Sequence, residues 1–206
     1  MKTPGPLFIV ILSIALAILT GCAGSQPSRF YVLSAMEVSG KEQPRPCPDG
    51  RAMSLGINPV GLPRYLDRPQ IMTKLSDNEF RISELNVWAE PLKEGIQRVI
   101  AQDLSSLLCA DIVVYPSTVP RQTDCRLSVE VNRFEGSLGG DLYLEVRWSV
   151  SDDRSGKVLL TKRSLYTEPV GSHDYPALAH ACSRALHALS RDVAETVGSM
   201  TQGGSH

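Results

Sequence analysis

The sequence predicts an α/β domain with two amphipathic helices and a mostly antiparallel second half, and three observations carry that expectation. Leu92, Ile96, Val99, Ile100, Leu104, Leu107 and Leu108 recur on one side of a 3.6-residue period, with Glu94, Arg98 and Gln102 opposite. Between 127 and 150 apolar and polar residues alternate with period two on either side of a glycine-rich turn. A second helical stripe, Tyr175, Leu178, Cys182, Ala185, Leu186, Leu189, Val193 and Val197, closes the chain.

The elements follow in order. Lys2 precedes an apolar run at 7–19, and the run exits through Leu19-Thr20-Gly21-Cys22. A positive start, a short apolar stretch and a small-residue exit are the three parts of a secretory signal. The run is well short of the ~20 residues that a membrane-spanning helix needs. The exit resembles the lipobox of bacterial lipoproteins, which implies cleavage after residue 21 and acylation of Cys22. Several acyl chains, at ~0.8 kcal/mol per buried CH₂, give a durable anchor where one would not. The residue after the cysteine is Ala23 rather than the Asp that resembles an inner-membrane retention signal, so the expected address is the outer membrane, facing the periplasm. Residues 1–21 are thus read as signal peptide, 22–28 as a lipidated tether, 29–198 as one domain and 199–206 as a disordered tail.

Within the domain, 29–34 (RFYVLS) reads as a first strand and the proline-rich 35–51 as a loop. A strand is expected at 52–60. Residues 62–72 hold too many prolines for regular structure, and 78–82 is a short strand candidate leading to Trp88. The first helix is expected over 90–108, with Pro91 tolerated in its first turn. A short buried strand at 112–115 stops at Pro116. The strand from 127 breaks phase at Arg133-Phe134, which suggests a bulge. The turn at 136–140 leads to a strand over 142–150, and 157–167 adds a third antiparallel strand. Asp174 is a reasonable N-cap for the helix over 174–197.

Removal of residues 1–21 takes away one charge, Lys2, and leaves 20 basic and 22 acidic residues among 185, a net of −2. With no basic stripe, nothing in that balance suggests nucleic acid. Four further cysteines, Cys47, Cys109, Cys125 and Cys182, allow three complete pairings in an exported compartment, and the spacing does not choose among them. Cys182 falls on the apolar face of the second helix, where a buried free thiol is the plain reading. No CxxC or Cys/His zinc spacing occurs. His173, His180 and His187 are seven apart, ~10 Å along a helix, too far to share one ion, and are read as a solvated face. Gly136, Gly139 and Gly140 precede a strand rather than a helix, so they form a hairpin turn and not a phosphate loop. No hydrolase, zincin or nucleotide-binding pattern is found, and no cofactor or catalytic residue is expected.

What remains are two dense strings, Tyr65-Leu66-Asp67-Arg68-Pro69-Gln70-Ile71 and Trp88-Ala89-Glu90-Pro91-Leu92. One reading is a structural turn with an Asp67–Arg68 pair. The other is a partner-binding loop presenting Tyr65, Leu66 and Ile71. These strings, with Cys22, Arg29-Phe30-Tyr31-Val32-Leu33, Arg133-Phe134-Glu135 and Trp148, resemble the auxiliary lipoprotein component of ABC-type transport systems, the paraquat-inducible protein C family. The proline-rich 44–48 segment with Cys47, and the extra cysteines, depart from that pattern. The resemblance implies a mixed sheet of about five strands packed with the two helices. It also implies a non-enzymatic role in lipid transport between two membranes. The implied partners are a periplasm-spanning mammalian-cell-entry-type protein, further copies of the chain in a ring, the membrane through its lipid anchor, and phospholipid. Two competing readings are an assembly lipoprotein binding envelope proteins or lipopolysaccharide, and a lipid carrier with its own cavity.

Overall fold

The computed structural model describes residues 26–37, 47, 52–118 and 121–202. The signal segment, Cys22 and Ala23 lie outside the described residues. Among the described residues, eight strands and two helices run in the order β1 (Arg29–Tyr31), β2 (Met53–Ile57), β3 (Gln70–Ser76), β4 (Glu79–Trp88), α1 (Leu92–Leu107), β5 (Ala110–Val114), β6 (Cys125–Gly136), β7 (Asp141–Asp152), β8 (Val158–Pro169) and α2 (Tyr175–Gln202).

The strands form a five-stranded mixed sheet, ordered β5-β2-β6-β7-β8, and a separate three-stranded sheet, ordered β1-β4-β3. In the large sheet β2 lies parallel to both β5 and β6. A parallel neighbour needs a long return connection, and the chain from β3 through α1 supplies it for β5. The second half, β6 to β8, is an antiparallel meander whose register shifts once in each pairing. The slip expected at Arg133-Phe134 is present, since register shifts between Val131 and Arg133. Gly139 adopts φ +75° in the β6–β7 turn, a conformation that residues with a Cβ rarely take.

Both helices lay their apolar stripes on one face of the large sheet. Leu55, Ile57, Leu127, Val129, Leu144, Val146 and Trp148 meet Ile96, Ile100 and Leu104 of α1 and Leu178, Leu186, Leu189 and Val193 of α2 in one core. Gly56, between Leu55 and Ile57, points the other way. A Cβ there would lie 2.7 Å from Tyr115 Cε2 and 2.8 Å from Thr123 Oγ1, so this approach requires glycine. Asp174 caps α2, accepting the Ala177 N–H at 2.8 Å and the Ser172 hydroxyl at 2.7 Å. Those two donors hold its carboxyl below the usual carboxylate range.

Four expectations need correction. First, β3 begins at Gln70, inside the span read as irregular. Pro69 removes only its own N–H, so pairing resumes at the next residue, and β3 with a ten-residue β4 makes a hairpin that proline counting hides. Second, β5 is an edge strand with only Val113 buried, rather than a buried strand. Third, α2 continues to Gln202, past the expected start of the tail, because Gly198 is tolerated and Met200 packs on the core. Fourth, His173 and His180 are exposed, but His187 is half-buried with Nε2 2.8 Å from the Ser34 carbonyl.

Candidate functional site

The strings 65–71 and 88–92 are distant in sequence and adjacent in space. Residues 63–68 form tight turns, with the Leu66 N–H donating to Pro63 (2.9 Å), Asp67 to Arg64 (3.3 Å) and Arg68 to Leu66 (2.9 Å). The turn drives Leu66 into the core, where it is 6 % exposed. The Pro69 carbonyl then accepts the Trp88 N–H at 2.7 Å, and the Ala89 N–H donates to Tyr31 at 2.8 Å. Turn, β4 and β1 are thereby tied at one point, directly before α1. The Pro91 carbonyl accepts the Glu94 and Gly95 N–H groups, at 2.9 and 3.0 Å, and starts that helix.

The charged groups are braced as pairs. Glu90 accepts from Arg98 Nε at 3.1 Å, and Arg98 Nη2 also donates to the Leu33 carbonyl at 2.8 Å, so one guanidinium joins the second string, α1 and the segment after β1. Asp67 pairs with Lys93 at 3.3 Å and not with Arg68. Both groups of that pair are well exposed, which limits it to about 0–1 kcal/mol. Arg68 Nε is buried without a hydrogen-bond partner. The Tyr65 hydroxyl donates to Glu135 Oε1 at 2.6 Å, while Arg133 Nε donates to Glu135 Oε2 at 2.9 Å. Burial, and then the Glu135 bond, push the Tyr65 phenol well above its ordinary value. Its ring centroid lies 5.8 Å from that of Phe80.

Asp67 pairs with Lys93 rather than Arg68, and of the three apolar groups read as partner-binding Tyr65 is half-buried while Leu66 and Ile71 are buried. Ile71 is 1 % exposed within β3 and Leu66 faces inward, so neither is available to a partner. The strings leave an open cleft of about 410 Å³, whose lining includes Asp67, Arg68, Pro69, Trp88, Glu90 and Lys93. Sequence reasoning missed Arg98, Lys93 and Glu135 as the groups that organise it. Glu90 lies before the helix that carries Arg98, so no helical i, i+4 spacing announces the pair.

The segment after β1 is pinned as firmly. The Ser34 N–H donates to Ser183 Oγ at 3.1 Å and the Met36 N–H to Asp103 Oδ1 at 2.7 Å. Asp103 is 1 % exposed, its Oδ2 has no partner, and His187, Ser190 and Arg191 of α2 face it. Burial raises its pKa, and the Met36 N–H and the α2 groups only partly oppose that. The folded state therefore holds this proton more tightly than the unfolded chain. Its contribution grows as pH falls from the raised value to the ordinary ~3.9, and above the raised value the buried charge is a constant cost. The Asp103→Asn variant is expected to be more stable than the parent at neutral pH, with the difference shrinking toward pH ~4. Urea unfolding of both chains across that range checks this; a difference independent of pH would contradict it.

Cys47 and Cys109 are joined in a disulfide with Cα atoms 5.3 Å apart. Cys125 and Cys182 are free. Burial pushes the Cys182 thiol up to about 12, and burial with Asp124, Asp152 and Asp153 raises that of Cys125. Both stay protonated at neutral pH and are poor nucleophiles. A void of about 20 Å³ between Leu66, Trp88, Phe134, Leu178 and Cys182 holds about one water, far too little for an acyl chain. No group of three metal-ligating side chains occurs among the described residues. No helix among them is long and apolar enough to cross a membrane.

Residues 31–194 match the family model of the ABC-type transport auxiliary lipoprotein component. The chain belongs to that family. The span that carries the ABC-type transport auxiliary lipoprotein signature includes both strings, the Glu90–Arg98 brace and the Asp103 knot. The intermembrane transport lipoprotein PqiC of Escherichia coli strain K12 is 24 % identical over 164 residues, covering 80 % of this chain and 83 % of PqiC, and the Shigella flexneri protein of that name matches to the same degree. The crystal structure of protein XCC0632 from Xanthomonas campestris is similar at TM-score 0.69 and 18 % identity, covering 87 % of this chain and 100 % of the other. A crystal structure of an uncharacterized protein is similar at TM-score 0.67 and 19 % identity, covering 84 % and 99 %. Likeness at that identity shows the fold alone.

Proposed function

We propose that this chain is an outer-membrane lipoprotein, acylated on Cys22 and facing the periplasm, that serves as a non-enzymatic auxiliary component of an ABC-type lipid transport system. In this reading it docks, as a homo-oligomeric ring, onto a mammalian-cell-entry-type protein that spans the periplasm, and it contributes to envelope integrity. The observation that carries the reading is the family match over 31–194 in a chain whose Leu19-Thr20-Gly21-Cys22 exit stands just ahead of it. The relative PqiC, an intermembrane transport lipoprotein, supports the transport role.

The cleft between the two strings favours docking over chemistry. Asp67 and Glu90 are each committed to a cation, and Leu66, Ile71, Trp88 and Leu92 of the strings are spent on the core. What faces outward is a rigid, mixed-charge rim, suited to recognising another protein through complementary charges. The 20 Å³ void argues for a lipid path outside this domain, along its partner, rather than through it. The open edges β5 and β8 belong to one sheet, so head-to-tail contacts between copies would generate a closed ring or a filament.

Affinity purification of the tagged full-length chain from detergent-solubilised envelopes tests the reading. The bridging protein is expected to co-purify, and the parent is expected in the outer-membrane band of a density gradient. The Cys22→Ser variant is expected to leave that band. A parent that never retains a bridging protein under conditions that preserve the transport complex would sink the docking role.

A further inference from the structure

The three-stranded sheet has one face in the core; on its other face Tyr65 packs beside Phe80, and among the described residues the Phe30 end is left exposed. Ile71, Thr73 and Trp88 fill the inner face. Register sets Phe30 opposite Val87 and Met72 opposite Ile82. Val87 pairs with Gln70, two residues from Met72 on β3, and the register shift between those pairs lets Val87 and Ile82, five apart on β4, share the other face. Phe30 is 70 % exposed, the highest of the large apolar side chains described; Val32 is 54 % exposed and Ile82 45 %. Sheets of soluble domains normally put such residues inward, and a contiguous apolar face of this kind marks a contact surface.

Chain length says what lies opposite it. Gln26 is the first described residue, exposed and without regular structure, and β1 starts three residues later. Whatever their conformation, the four steps from Cys22 to Gln26 span at most ~14 Å, and the eight steps to Phe30 at most ~29 Å. A domain of this size is about 40 Å across. An anchor at Cys22 therefore keeps the β1 side of the domain close to the bilayer, and β1 is where the most exposed aromatic side chain sits. Arg29 and Gln26, exposed beside it, provide a polar margin of the kind that meets headgroups.

We propose that the exposed part of the outer face of the β1-β4-β3 sheet, centred on Phe30, is the surface with which the anchored domain lies on the phospholipid bilayer, Phe30 and Val32 entering its interfacial layer. This rests on the acylation of Cys22 in the proposed function. Shallow apolar insertion next to a covalent anchor is a second membrane signal, and two signals fix an orientation that a tether alone leaves free.

The test uses the full-length acylated chain in vesicles of phosphatidylethanolamine and phosphatidylglycerol, with or without bromine on the acyl chains. Trp88 and Trp148 are buried, so Phe30→Trp adds an exposed reporter at an aromatic position without burdening the fold. The comparison is Val158→Trp, at a site 57 % exposed on the edge strand β8 of the other sheet. Brominated lipid is expected to quench the added emission of the Phe30→Trp chain about twofold or more relative to the Val158→Trp chain. Flotation of the parent, with Cys22→Ser left behind, reports the anchor separately. A parent that does not float overturns both the anchor and this inference. A parent that floats while Phe30→Trp stays unquenched overturns the inference alone. So does Phe30→Trp emission that is blind to bromine but shifts with protein concentration, which would make the face a contact between copies.

Discussion

Replacing Trp148 by alanine is expected to lower the free energy of unfolding by about 3–5 kcal/mol, the usual range for emptying a buried aromatic site. Trp148 lies in the middle of β7, is 1 % exposed, and pairs with Val129 on one side and Lys162 on the other. Its indole N–H donates to Ser164 Oγ at 3.1 Å, and the Ser164 hydroxyl donates to Asp192 Oδ2 at 3.1 Å. Asp192 also accepts from the Tyr166 hydroxyl at 3.0 Å and from Lys162 at 3.3 Å. The ring thus fills the core and, through Ser164, supports the cluster that holds edge strand β8 on α2. Trp148→Phe keeps most of the apolar volume and removes the donor, so it should cost less than the alanine, with about 1 kcal/mol of it from the lost bond. Urea unfolding followed by circular dichroism separates the two. An alanine variant that loses under ~1 kcal/mol would mean that the site collapses and that the core is not centred there.

Breaking the Cys47–Cys109 bond is expected to cost about 4 kcal/mol, comparable to losing the indole. The two residues are separated by 62 positions, and a cross-link closing a loop of that length removes much of the freedom of the unfolded chain. The bond also ties Cys47 to the chain just after α1. Reduction should act on this bond alone, because Cys125 and Cys182 are already thiols and the buried Cys182 is held protonated. The measurement is the unfolding midpoint with and without dithiothreitol, alongside the Cys109→Ala variant. If neither treatment moves the midpoint, the cross-link does not constrain the unfolded state. The expectation also ties stability to the oxidising compartment that the N-terminal signal implies.

Elements whose side chains alternate or recur over three turns or more were legible from the residues alone. Leu92 to Leu108, the β6–β7 hairpin with its slip at Arg133 and the cap at Asp174 all declare themselves through local chemistry. The β3–β4 hairpin did not, because Pro63 and Pro69 dominate a composition-based reading although only their own amides are lost. The two strings were visible as motifs, but their meaning was not. Tyr65, Leu66 and Ile71 look like surface apolar groups until the Pro63–Asp67 turn is seen to point Leu66 inward. Asp67 and Arg68 are neighbours in sequence, yet Asp67 reaches Lys93 and Glu90 reaches Arg98, pairings set by how α1 docks. The choice of Cys47 with Cys109 likewise depends on the tertiary path and has no sequence signature.

The parallel pairing of β1 with β4 has a mechanical side. A tug from the N-terminal end runs along the axis of β1, so its contacts at Arg29, Phe30 and Tyr31 resist together by sliding, not by peeling one at a time. Strain passing that clamp next meets Leu33, Ser34 and Met36, moored to Arg98, Ser183 and Asp103 on both helices. The domain thus resembles a cleat with two successive hitches, and lateral drag on its N-terminal end reaches the helix pair before it can disturb the β6–β7–β8 meander.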